Sequence, residues 1–121
     1  MRSRCLLQPT LAMAANTIQE ARFAKPVGHG KSAVVIVNVY RNQAGGITTF
    51  DIQTASHTGV AATSGTFWVD CDTGTNTIAA GTTGAVKFKL ADLGEVIRYN
   101  VTNSSWSSGI DFDITVYFAD T

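Results

Sequence analysis

The sequence predicts an all-β fold: an antiparallel β-sandwich, jelly-roll-like or immunoglobulin-like, with an extended N-terminal arm. Composition is the first reason, because 16 Thr, 8 Ser and 11 Gly but only 2 Pro among 121 residues suit short strands joined by polar turns. Spacing is the second, because apolar runs recur about every ten residues with turn residues between them. Strands do not alternate with helical patterns, so a parallel sheet is not expected.

Six segments have the pattern of a strand, and two more are weaker candidates. Residues 110–118 alternate most regularly, with five apolar side chains facing one way and polar side chains facing the other. Residues 32–40 form a nearly continuous apolar run, which indicates a central strand buried on both faces. We expect residues 47–54 to pair with that strand as an antiparallel hairpin across a glycine-containing turn. The other predicted strands are 66–71, 86–90 and 96–102, with weaker candidates at 17–23 and 77–80.

Charge is unevenly distributed along the chain, although the formal net charge is zero. The first 31 residues hold five cations against one carboxylate, whereas the rest of the chain holds four against eight. We therefore divide the chain into a basic arm, residues 1–30, and a β-sandwich domain, residues 31–121. Lys87 and Lys89 alternate with apolar residues, which predicts a basic outer face on one strand of the body.

Neither nucleic acid nor a membrane is an expected partner. The cations of the arm are too dilute to argue for binding of nucleic acid. No run approaches the roughly 20 apolar residues that a membrane-spanning helix requires. We expect the partners to be proteins.

The two tryptophans are candidate binding residues. In the segment 66–71, Phe67, Val69 and Cys71 share the face that we expect to be buried, and Trp68 points the opposite way. Trp68 is therefore either an exposed aromatic at an interface or part of a second packed face. Trp106 stands in a loop rich in Ser and Gly, where the same two interpretations apply.

No constellation of residues predicts catalysis, a cofactor or a metal centre. Asp70, Asp72 and Asn76 offer alternating oxygens, but Gly81 occupies the place where a calcium loop carries a bidentate Glu, so a structural turn competes with a weak calcium site. Asp72 also opens an Asp-Thr-Gly triplet, which an aspartic protease of this length could use only as a dimer. We expect no enzyme. The cysteines are Cys5 and Cys71, which we expect to be separate reduced thiols.

About a third of the chain resembles a known family. Residues 90–102, Leu-Ala-Asp-Leu-Gly-Glu-Val-Ile-Arg-Tyr-Asn-Val-Thr, and residues 111–117, Asp-Phe-Asp-Ile-Thr-Val-Tyr, resemble the last two strands of small β-sandwich proteins from tailed-bacteriophage virions. Residues 13–19, Met-Ala-Ala-Asn-Thr-Ile-Gln, resemble the start of such proteins. The family is that of the capsid decoration, or cement, proteins.

The resemblance implies a structural virion protein that decorates or cements the outside of a phage capsid. It would bind the major capsid protein and itself, with a homotrimer favoured, and would be located at the capsid surface. Deleting residues 1–24 is expected to abolish attachment and leave the body folded. The alternative is a carbohydrate-binding or adhesive β-sandwich module with an exposed indole in a shallow groove. The candidate partner-binding residues are Arg2, Arg4, Arg22, Phe23, Lys25, Trp68, Lys87, Lys89 and Trp106.

Overall fold

A computed structural model of the chain describes residues 3–13, 16–19, 24–27, 32–57, 65–106 and 109–118. Within these ranges the regular structure is almost entirely β, with one short 3-10 helix at Gly65–Phe67 and no α-helix. In chain order the strands are β1 (Ser3–Met13), β2 (Thr17–Ile18), β3 (Lys25–Pro26), β4 (Ala33–Asn42), β5 (Thr48–Ala55), β6 (Val69–Asp70), β7 (Asp72–Thr73), β8 (Thr77–Ile78), β9 (Gly84–Leu90), β10 (Val96–Asn103) and β11 (Ile110–Phe118).

The strands form two antiparallel sheets. The five-stranded sheet has the order β1-β11-β4-β9-β7, and the six-stranded sheet has the order β2-β10-β5-β6, with β3 also on β10 and β8 also on β5. The late strands β11 and β10 thus lie between early strands, which produces the double Greek key of a jelly roll. The predicted all-β sandwich is confirmed, and the strand order is that of its jelly-roll-like form.

The expected hairpin between the segments 32–40 and 47–54 is wrong. Strand β4 pairs with β11 and β9 in one sheet, whereas β5 pairs with β10 in the other. The connection crosses between sheets because its polar groups bond elsewhere: Gln43 N donates to Gly109 O, and Gly45 N donates to Ser105 O. The Asn42 side chain holds the exit from β4 by donating to the carbonyl oxygens of Ala79 and Thr82.

A single hydrophobic core lies between the two sheets. Strand β11 alternates buried and half-buried residues throughout, as its sequence predicts, and its five apolar side chains are all buried. Phe112 meets Phe50 of the opposite sheet edge-to-face, with ring centroids 5.5 Å apart. Each fully buried side chain of this size stabilises the fold by roughly 1.5–3 kcal/mol relative to an exposed one.

Part of the segment that the sequence assigns to the arm lies in the sandwich. Strand β1 pairs with β11 from Ser3↔Phe118 to Met13↔Ile110, with two register irregularities on either side of Gln8. Its Leu7 is 1 % exposed and belongs to the main core. The boundary at residue 30 stays a prediction, but removal of β1 would take a core side chain and the outermost strand of the sheet with it.

Candidate binding surface

The outer side of the five-stranded sheet brings together cations that are distant in sequence. One cross-strand row runs Arg4↔Tyr117, Tyr117↔Val34 and Val34↔Lys89, and so crosses four strands. Three inter-strand spacings separate its ends by about 14 Å. Arg4 and Lys89 are exposed, and the two residues between them are half-buried.

A second row lies beside the first and has the same character. It runs Leu6↔Thr115, Thr115↔Ile36 and Ile36↔Lys87. Leu6 is 50 % exposed and Lys87 is exposed. We call the two rows together the cationic face: Arg4, Leu6, Val34, Ile36, Lys87, Lys89, Thr115 and Tyr117. Its centre is apolar or amphipathic, and its cations lie at the two sides.

The cations of this face are not neutralised within the described residues, because Arg4, Lys87 and Lys89 make no ion pair there. No carboxylate stands in either row of the cationic face. A surface of this kind attracts acidic partners and orients them during encounter.

The other end of the same sheet surface is internally neutralised. Arg41 Nε and Nη2 each lie 3.1 Å from an oxygen of Asp111, and this contact lowers the pKa of that carboxyl. Asp113 accepts hydrogen bonds from Tyr40 and Asn38, and its contact with Tyr40 raises the pKa of the phenol. The acceptors of these aspartates are therefore engaged by the neighbouring strand β4.

The remaining predicted arm residues do not join the cationic face. Lys25 is exposed on β3, which belongs to the six-stranded sheet. Burial raises the pKa of the Cys5 thiol, and the nearby charge of Lys25 partly offsets this increase. Arg2, Arg22 and Phe23 lie outside the described residues.

Trp68 is packed rather than exposed, so the second of its two interpretations is the one observed. It is 6 % exposed and forms a small cluster with Ala55, Val96 and the partly buried Ala24 on the outside of the six-stranded sheet. The Arg98 guanidinium lies 4.4 Å from the indole ring centroid. This cation–π contact covers the ring face that a sugar would need.

Trp106 also makes its contacts within the chain. It is half-buried against the main core, and its Nε1 donates a hydrogen bond to Asn16 Oδ1. Asn16 Oδ1 accepts in addition from the backbone N of Asn103 at a distance of 2.9 Å. The indole thus helps to join the β10–β11 connection to the segment before β2.

The predicted strand at 66–71 is wrong over its first half, and the expected burial of Phe67 and Val69 is wrong. A 3-10 turn occupies Gly65–Phe67, and Phe67 and Val69 are 51 % and 60 % exposed. Val69 pairs with Thr54, which pairs with the core residue Ile97, so Val69 lies on the core side of the six-stranded sheet but on its last strand. Of the three residues expected to face the core, only Cys71 is buried. Gly65 is the one local signal for a turn at this point, and alternation alone could not reveal it.

Phe67 and Val69 line an open groove of about 560 Å³ that sequence reasoning missed. Leu93, 9 % exposed, forms part of the groove wall, and exposed Asp92 stands beside it. A second cavity of about 250 Å³ adjoins the first and shares Val69 and Asp92 with it. Asp70 lines the second cavity, so an apolar groove passes into an acidic one.

The loop considered for calcium is a hydrogen-bonded turn. Asn76 Nδ2 lies 2.9 Å from an oxygen of Asp51 and 2.9 Å from an oxygen of Asp72, so it acts as a donor between two carboxylates. The other oxygen of Asp72 accepts from Ile52 N. Burial is the largest cause that raises the pKa values of both aspartates. The described residues contain no group of three or more His, Cys, Asp or Glu placed to hold a metal ion.

No family model, curated protein or solved structure matched the chain. In the part of the chain that the structure describes, no helix has the length and apolar character needed to cross a membrane. The cationic face and the groove are the two surfaces of the described residues suited to binding a partner.

Proposed function

We propose that this chain is a structural virion protein that decorates or cements the outside of a phage capsid. The observation that carries the proposal is the cationic face, a broad sheet surface whose cations make no ion pair within the described residues and surround a partly apolar centre. Its expected partner is an acidic patch on the major capsid protein. The jelly roll supports the proposal as a scaffold used in viral capsids, but it also serves lectins, so the surface must carry the argument.

The shape of this surface suits docking onto a large, regular partner. Its rows cross four strands that are hydrogen-bonded to one another, so the side chains are held in fixed register on a rigid sheet. A flat rigid surface loses little conformational entropy on binding, which favours attachment at many equivalent sites on a shell. Leu6, Val34 and Ile36 supply apolar contact between the cations.

Co-sedimentation with assembled shells tests the proposal. Shells made from the major capsid protein of the same genome are mixed with the chain and separated on a sucrose gradient. We expect the wild-type chain to sediment with the shells and Lys87→Glu/Lys89→Glu to bind at least tenfold more weakly, because two attractive contacts become repulsive.

Two matched variants control for general effects of charge. Lys87→Arg/Lys89→Arg keeps the positive charge and should retain binding, and Lys25→Glu reverses an exposed charge on the other sheet and should change binding less than threefold. Absence of the wild-type chain from the shell fractions, or equal binding by the double Glu variant, would contradict the proposal.

The carbohydrate-binding alternative stays a prediction of the sequence. It requires an exposed indole, and in the structure Trp68 lies under Arg98 while Trp106 is bonded to Asn16. No contact of the described residues favours this function over attachment to a shell.

A further inference from the structure

The groove beside Phe67 shares no lining residue with the cationic face. We infer that it binds an extended cationic segment of a partner protein, with one apolar side chain on Phe67 and Val69 and cationic side chains beside Asp70 and Asp92. The inference goes beyond attachment through the cationic face, since it assigns ligands of the opposite charge to a different surface, which is lined by β5, β6 and the β9–β10 turn and reaches β7 in its smaller cavity.

Exposure of large apolar side chains is the first observation that supports this site. Phe67 and Val69 are both more than half exposed, and they are the chain neighbours of Trp68, which is buried in the small cluster. Leu93 continues the apolar wall from the β9–β10 turn. Apolar side chains that converge on a concave surface mark binding grooves more often than scattered exposed residues do.

Charge complementarity determines the kind of occupant. Asp70 and Asp92 are exposed, and neither makes an ion pair within the described residues. Both line the smaller cavity, and Asp92 also lines the larger one. An anchor residue in the apolar part would therefore bring its neighbouring residues beside two carboxylates, which favours Lys or Arg at those places.

Backbone geometry favours an extended occupant. Strand β6, Val69–Asp70, is the last strand of the six-stranded sheet in its order, and it pairs with β5 through Gln53↔Asp70 and Thr54↔Val69. Its other edge is free of strand partners among the described residues. An extended peptide can add to such an edge through main-chain hydrogen bonds while alternate side chains enter the groove.

Three short peptides test the inference by ¹H–¹⁵N NMR titration of the full chain. The cationic and apolar probe is acetyl-Lys-Phe-Lys-Leu-Lys amide; acetyl-Glu-Phe-Glu-Leu-Glu amide reverses its charge, and acetyl-Lys-Ser-Lys-Gly-Lys amide removes its apolar anchors. We expect the first peptide to bind at least tenfold more tightly than either of the others, with shift changes centred on Phe67, Val69 and Leu93. Equal affinity for the acidic peptide, no binding of the first, or shifts centred elsewhere would overturn the inference.

Variants separate the two contributions to binding. Phe67→Ser/Val69→Ser should weaken binding of the first peptide at least tenfold, and Asp70→Asn/Asp92→Asn should weaken it at least threefold. Asp92 has φ 55°, a left-handed conformation that Asn also tolerates, so the second variant should keep the turn. Asp113→Asn removes a carboxylate from the other sheet and should leave binding unchanged; unchanged binding in the groove variants would contradict the site.

Salt provides a measurement that does not depend on any variant. Raising NaCl from about 0.05 M to about 0.5 M shortens the Debye length and should weaken the first peptide's binding at least threefold. Salt-independent binding would overturn the role of the carboxylates. Shell attachment is measured separately with the Lys87 and Lys89 variants, so failure of the groove and failure of the proposed function give different results.

Discussion

At the level of single residues, Gly94 is a position where the backbone leaves no room for a side chain. A Cβ there would lie 2.1 Å from the carbonyl oxygen of Ala55 and 2.7 Å from its carbonyl carbon. The turn cannot retreat easily, because Gly94 N donates to Thr54 Oγ1 and Glu95 N donates to Ala55 O. The absence of a side chain therefore allows the β9–β10 turn to lie directly on the end of β5.

Gly94→Ala should lower the free energy of unfolding by about 2 kcal/mol or more, since the added methyl meets backbone rather than a movable side chain. Urea denaturation monitored by tryptophan fluorescence measures the change. Gly65→Ala is the control, because nothing lies within 4 Å of its added Cβ and it should change stability by less than about 0.5 kcal/mol. Similar losses in the two variants would contradict the close approach at Gly94.

Cys71 should be chemically inert in the folded chain. Burial raises the pKa of its thiol from an ordinary value of 9.0 to about 12, with the nearby Asp72 and Asp70 adding to the shift. Because the folded chain holds this proton more tightly than the unfolded chain, the contribution of the thiol to the free energy of unfolding is fully present below pH 9. It is lost as the pH rises from 9 toward 12. In Cys5→Ser, which leaves Cys71 alone, reaction with a thiol reagent at pH 8 should be at least a hundredfold slower than after unfolding.

The companion variant Cys71→Ala leaves Cys5, which is half-buried and should react faster than Cys71. Rates for the two folded variants are compared at the same pH and reagent concentration. Equal rates for the two would show that Cys71 is not protected by the core.

At the scale of the elements, strand β1 is the decisive case. Leu7 and Leu6 are neighbours on it, but Leu7 is 1 % exposed in the core and Leu6 is 50 % exposed on the cationic face. Leu7→Ala should destabilise the fold by about 2–5 kcal/mol, and Leu6→Ala by less than about 0.5 kcal/mol. Chemical denaturation of both variants checks the difference.

Equal stability of these two variants would mean that β1 is an arm separable from the body. The expectation that the body stays folded after deletion of residues 1–24 requires such a separable arm. The structure predicts otherwise, because β1 pairs along its length with β11. A deletion that removes β1 should lower stability as well as attachment, so loss of binding after it would not by itself assign a contact.

Elements with a local signal could be predicted from the sequence, and pairings could not. The alternation of β11 and the Lys87 and Lys89 pattern of β9 depend only on neighbours in the chain, so their faces were predicted correctly. The pairing of β4 with β11 joins residues 68 to 85 positions apart, which local rules cannot reach, so they suggest β5 wrongly. In β1, Pro9 and the surrounding cations concealed a strand that tertiary pairing stabilises.

The same distinction holds for the candidate sites. The alternation of Lys87 and Lys89 predicts their outer face. That Arg4 lies on the same face follows only from the strand order β1-β11-β4-β9, which no local pattern encodes. Local alternation does not reveal the groove, because Phe67 and Val69 follow the pattern of a buried strand, whereas in the structure both are more than half exposed at the end of the six-stranded sheet.

At the scale of the whole molecule, the open edges of the five-stranded sheet favour self-association. Strand β9 pairs with β7 only through Lys89 and Leu90, and no described strand lies beyond β1. Oligomers with closed symmetry can cover such edges. We expect a homotrimer, with a native mass of three 12.8 kDa chains by light scattering. A monomer at every concentration tested would contradict the trimer.

Two surfaces of opposite character, the cationic face and the groove, would allow one chain to bridge two partners, which is what a cement protein must do. The cationic face would lie on the shell, and the groove would hold a basic segment of a neighbouring subunit. Binding through both would gain from effective concentration, so two modest contacts could give stable attachment.

The most direct test of the central claim is a cryo-electron microscopy reconstruction of the shells with and without the chain. We expect added density on the outside of the shell, into which the jelly roll fits with its five-stranded sheet, and so Arg4, Lys87 and Lys89, toward the capsid. Shells with no added density, or with the six-stranded sheet facing the capsid, would contradict it.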